Sequence, residues 1–74
     1  MNEEKLIEIV IEILKNAKKQ IPANISMNMD LRNDLGLDSF NLAEMTVRIE
    51  DITGIDVFEA GVISTLQDAI NRLK

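Results

Sequence analysis

The chain has 74 residues, 46% apolar and 28% charged, with 13 acids against 8 bases and a net charge of −5. That suffices for one domain with a thin core and is too apolar for a disordered segment; the acidic excess argues against nucleic acid as a partner and suits partners with basic surfaces. Cysteine, histidine, tryptophan and tyrosine are absent, which removes disulfides, thiolate metal sites, the usual side chain of acid–base catalysis and the histidine that most often activates a nucleophile.

The start is charged, with Glu3, Glu4 and Lys5, unlike a secretory signal. No apolar run is long enough to cross a bilayer. A cytoplasmic protein that stays off membranes is expected. The first segment, about 3–19, reads as an amphipathic helix. Leu6, Ile9, Val10, Ile13, Leu14 and Ala17 recur at three- and four-residue spacing, while Glu4, Glu8, Glu12, Lys15 and Lys19 take the other side. Acids come early and lysines late, as the helix dipole prefers, and Pro22 closes the segment.

A long connection follows, about 20–38. Ile25, Met27, Met29 and Leu31 alternate with polar residues, a strand-like pattern for which no second strand is in evidence. The segment is expected to be a loop that pins Leu31, Leu35 and Leu37 onto a helical core, with Gly36 at a backbone angle other residues resist. Loops of this length are often functional.

The second helix is expected from Ser39 to about Ile52, capped by Asp38 or Ser39 and ended by Thr53 and Gly54. A short turn or helix covers about 57–61. The last helix is expected to begin at Ser64, with Ser64 and Gln67 at capping-box spacing and Leu66, Ala69, Ile70 and Leu73 buried. The fold class is all-α: a small bundle of three main helices plus one short helix or turn, forming one domain over 1–74.

At about 100° per residue, Leu42, Met45, Ile49 and Ile52 share the core side of the second helix. Phe40, Glu44, Val47 and Asp51 lie opposite, with Ala43 and Glu50 at the edge and Arg48 nearby. Apolar and acidic residues interleaved on a solvent face suggest a binding surface, although single exposed apolar residues are ordinary. Ser39 stands where a loop meets a helix N-terminus. Taken alone it is most simply an N-cap; the same place also favours a phosphate ester, through unpaired N–H groups and the helix dipole. Asp38 beside it is suited to a metal ion or basic group brought by another enzyme.

The run Asp34-Leu35-Gly36-Leu37-Asp38-Ser39-Phe40 resembles the phosphopantetheine attachment motif of acyl carrier proteins, Asp-Leu-Gly-x-Asp-Ser-Leu, with Phe40 at the final Leu. The stretch from Ser64 to Ile70 is similar to the start of that family's last helix, so the resemblance spans essentially the whole chain. It implies that Ser39 receives 4′-phosphopantetheine from coenzyme A through a separate phosphopantetheinyl transferase using Mg²⁺, with Asp38 taking part in recognition by that enzyme. The arm supplies the thiol this cysteine-free chain lacks, and acyl groups ride on it as thioesters. The protein itself is then no enzyme and has no catalytic residue or metal of its own.

The resemblance also implies that Phe40, Ala43, Glu44, Val47, Glu50 and Asp51 meet acyl-transfer, condensing and acyl-modifying enzymes through their basic docking surfaces. A monomer is expected. Asn41 stands where fatty-acid carriers commonly have an acid, Arg48 adds a positive charge, and the segment before Ser64 is short. Together with the bulk of Phe40, these departures argue against a housekeeping fatty-acid role and toward a specialised carrier; the expected pathway is fatty-acid, polyketide or a related specialised one. An aminoacyl or peptidyl carrier and an unmodified helical interaction module are the alternatives.

Overall fold

The computed structural model describes residues 1–59 and 61–73. Its helices are α1 (Glu3–Asn16), α2 (Ser39–Thr53) and α3 (Leu66–Arg72), so the expected all-α bundle of three main helices is present. The segment expected as a turn or short helix is a turn over 57–59; the remainder of that expectation includes Ala60, which lies outside the described residues.

The α1 apolar stripe buries Leu6, Ile9, Val10, Ile13 and Leu14. Asn2 starts the helix, its side-chain oxygen accepting the Lys5 N–H at 2.8 Å. The end comes three residues before the expected Lys19. Lys18 takes a left-handed conformation, φ +58°, and the chain folds back: the Lys18 N–H donates to Lys15 O at 3.1 Å and the Lys19 N–H to Leu14 O at 2.9 Å. This pair of bonds is a Schellman closure, usually built on glycine. Ala17 is therefore the C-cap and exposed, not the core residue its spacing suggested.

Leu31, Leu35 and Leu37 from the long loop are buried, as expected, in one core with Leu42, Met45 and Ile49 of α2, Val57 and Ile63, and Leu66, Ala69 and Ile70 of α3. Helix α1 packs against both α2 and α3. Ile25, Met27 and Met29 lie half-buried against the same core. The strand-like stretch does find a partner, though only one residue long. Asp30 forms an isolated antiparallel bridge with Thr65, the Leu31 N–H donates to Ser64 O at 2.8 Å, and the Gln67 N–H donates to Met27 O at 2.9 Å. The loop is thereby tied to the start of α3.

Three other expectations are corrected. Ile52 is 53% exposed: around the axis it lies between buried Met45 and Asn41, but it stands in the last turn of α2, beyond the buried residues of that helix. Helix α3 is capped by Thr65 with Asp68, one residue after the expected Ser64 and Gln67. The Asp68 carboxylate accepts both the Ser64 and Thr65 N–H groups, and an ionised oxygen is a stronger acceptor than a glutamine amide. Leu73 is only half-buried because it is the C-cap of α3. Gly54 ends α2 at φ +77°, as its position predicted.

Candidate functional site

The loop leading into α2 is folded by two of its own acids, Asp30 and the motif's Asp34. Asp30 accepts the N–H groups of Arg32 and Asn33 at 2.9 and 2.8 Å, and Asp34 accepts that of Asp30 at 2.7 Å. The Gly36 N–H then donates to Arg32 O at 3.0 Å and the Leu37 N–H to Leu31 O at 3.0 Å. Gly36 sits at φ +74°, and a Cβ at this position would have nothing within 4 Å, so its requirement is the backbone angle and not space.

Asp38, not Ser39, caps α2. Its carboxylate accepts the Asn41 N–H at 2.9 Å, and the Asn41 side chain accepts the Asp38 N–H at 3.2 Å, a reciprocal capping box. Ser39 is thus the first helical residue and is exposed. Its hydroxyl is spared the capping task that its position alone suggested.

A cation completes the arrangement. Lys19, brought round by the closure of α1, donates from Nζ to Gly36 O at 2.8 Å, Asn41 Oδ1 at 2.6 Å and Asp38 Oδ2 at 3.2 Å. The Asp38 carboxyl is held below its ordinary value of 3.8, first by the Asn41 amide and further by the Lys19 ammonium. Asn41, at 3% exposure, is the buried polar residue of the site. Sequence reasoning missed the roles of Lys19 and Asn41. The capping-box spacing of Asp38 and Asn41 was legible, whereas the contact with Lys19 spans more than twenty positions of chain and left no local signal.

Beside Ser39 lies an open cleft of about 440 Å³, lined by Leu42, Val47 and Phe58 among others, with Arg32 and Asp56 as its charged residues. On the outer side of α2, Phe40 is 77% and Val47 60% exposed, and Ala43, Glu50 and Asp51 are exposed too. Glu44 is half-buried and paired: Arg48 reaches it at 3.1 Å and also reaches Glu12 of α1 at 3.1 Å. The acidity of this face is therefore concentrated in Glu50 and Asp51.

The family described as the phosphopantetheine attachment site matches residues 4–73. The chain belongs to that family, the acyl carrier proteins. It is 35% identical over 75 residues to the acyl carrier protein of Syntrophus aciditrophicus, covering 97% of this chain and 88% of the relative. It is 30% identical over 76 residues to that of Coprothermobacter proteolyticus, covering 100% of this chain and 93% of the relative. No solved structure gives a significant match.

A member of the acyl carrier protein family is a carrier and not an enzyme, and 4′-phosphopantetheine is its covalently attached group. The residues fit such a group: a serine hydroxyl stands exposed at a helix start, an apolar cleft opens beside it, and a chain without cysteine has no thiol of its own. No helix is long and apolar enough to cross a membrane among the described residues.

Proposed function

We propose that Ser39 is the attachment point and that the chain carries acyl intermediates for a fatty-acid, polyketide or related specialised pathway. The observation that supports this is the division of labour at the start of α2. Asp38 takes the cap, so the Ser39 hydroxyl is left exposed at a helix N-terminus, where unpaired amides and the dipole favour an added phosphate. When bound, 4′-phosphopantetheine supplies a terminal thiol on a flexible arm.

Every other contribution is positional. Lys19, Asn41 and Gly36 hold the attachment turn in one geometry. Asp38, exposed and ionised, is offered to the loading transferase. Phe40, Ala43, Val47, Glu50 and Asp51 form the docking face for partner enzymes with apolar and basic surfaces, and Glu44 flanks it with its charge shared with Arg48. Charge complementarity makes such docking quick and reversible, and tethering raises the local concentration of the carried substrate.

The test is incubation with coenzyme A and a broad-specificity phosphopantetheinyl transferase, followed by intact mass. One phosphopantetheine is expected on the native chain and none on Ser39→Ala. An unmodified native chain with several competent transferases sinks the proposal and leaves a helical interaction module. The acyl carrier names of the relatives favour an acyl cargo over an aminoacyl one, and the mass of the group loaded in the native host separates the two.

A further inference from the structure

The cations around the attachment turn are committed very unequally. Lys19 spends three donor contacts on Gly36, Asp38 and Asn41, which uses the full donor capacity of an ammonium group. Arg48 is divided between Glu12 and Glu44. Arg72 donates to the backbone carbonyls of Val57, Gly61 and Val62. Arg32 differs. Among the described residues the ion pairs join Lys5 to Glu8, Lys19 to Asp38 and Arg48 to Glu12 and Glu44, and Arg32 takes part in none of them.

Arg32 is nevertheless held in place. Its N–H donates to the Asp30 carboxylate at 2.9 Å and its carbonyl accepts the Gly36 N–H at 3.0 Å, so both of its peptide groups are fixed by the attachment loop. From there it lines the same cleft as Ser39. The other charged residue of that cleft, Asp56, is engaged with the Phe58 N–H at 2.9 Å. The remaining lining is largely apolar, and a guanidinium beside such a surface is weakly hydrated and well shaped for two oxygens of a phosphate.

We propose that Arg32 is the anion-binding residue for the phosphodiester formed on Ser39, holding the first segment of the arm along the cleft. This rests on the Ser39 reading. A phosphodiester adds a fixed negative charge two atoms from a backbone that already carries the Asp38 carboxylate. Lys19 is committed to Asp38, which leaves Arg32 as the cation facing that cleft. Arg32 is a positioning residue here: it sets where the arm leaves the surface and takes no part in bond making.

The experiment uses ¹⁵N-labelled protein before and after loading with coenzyme A and transferase, with intact mass confirming one added group. Two signals are read, the Arg32 Nε–Hε cross-peak and the ³¹P resonance of the phosphodiester. Loading is expected to shift the Arg32 cross-peak well beyond those of Arg48 and Arg72. In Arg32→Gln the ³¹P resonance is expected to move toward that of a free phosphodiester and to lose its salt dependence, with Arg32→Lys recovering part of the difference.

A fully loaded native chain whose Arg32 cross-peak stays put overturns the proposal, as does a ³¹P resonance identical in native and Arg32→Gln proteins. The cross-peak comparison needs no variant and so stands even if Arg32→Gln folds poorly. Failure of the native chain to load at all counts against the Ser39 assignment instead. An Arg32 response that comes only when an acyl cargo bearing a carboxylate is added also overturns the proposal, because the anion held is then the cargo's.

Discussion

Lys19 Nζ lies 2.6 Å from Asn41 Oδ1, joining the end of α1 to the first turn of α2. The same ammonium reaches Gly36 O and Asp38 Oδ2, so one side chain connects the glycine, the acid and the helix start that surround Ser39. Such a charge-assisted cluster orders a turn whose backbone would otherwise sample several conformations.

Lys19→Ala is therefore expected to lower stability by about 1 kcal/mol through the lost bonds to Asn41 and Gly36. Urea unfolding measures this. Amide exchange at residues 38–41 should accelerate more than exchange in the middle of α1. Uniform exchange changes across the chain would show that Lys19 has no local hold on the turn.

Asp38 and Asp68 both have carboxyl groups held below the ordinary value of 3.8, the first led by the Asn41 amide and the second by the Ser64 amide. A depressed folded value means that the stabilisation is fully present above 3.8 and fades as pH falls through the folded values. Acid should thus release the starts of α2 and α3. Asp38→Asn keeps a capping side chain and is expected to flatten the stability curve below pH 3.8. Carboxyl ¹³C titrations with midpoints at or above 3.8 would contradict this.

Lys18 adopts φ +58° where a Schellman closure favours glycine. A left-handed non-glycine residue is strained, while glycine gives back part of that gain through its freer unfolded chain. Lys18→Gly is expected to stabilise the protein by about 0.5–1 kcal/mol. Thermal or urea unfolding reads the change, and a destabilised variant would mean that the closure tolerates lysine without strain.

On the outer side of α2, Phe40→Ala is expected to raise the KM of the loading transferase about tenfold while changing stability by less than about 0.5 kcal/mol. Charge reversal at Glu50 and Asp51 should weaken docking more than reversal at Glu44, whose charge Arg48 already shares. If Glu44→Lys alone matches the double reversal, that ion pair opens on docking and the face is acidic along its length.

The local features of this chain are readable because they depend on near neighbours. The α1 stripe, the buried Leu31, Leu35 and Leu37, the angle at Gly36 and the cap at Gly54 follow from periodicity and backbone sterics. The site residues Asp38 and Ser39 are legible as a pair, but not which of the two is the cap. Ala17 and Ile52 fit the buried period yet lie exposed, because a helical period says nothing about where the partner surface stops.

The amino-acid sequence alone determined the helical architecture, through spacing, and the acidic character, through composition, and it placed a serine at a helix mouth within a run that resembles a known attachment motif. Folding alone decided that Lys19 closes onto Asn41, that Arg48 of α2 reaches Glu12 of α1, and that Arg32 shares a cleft with Ser39. Those pairings depend on how α1, the loop and α2 are brought together by burying one core, and side chains distant in sequence become neighbours only once that burial fixes their elements in space.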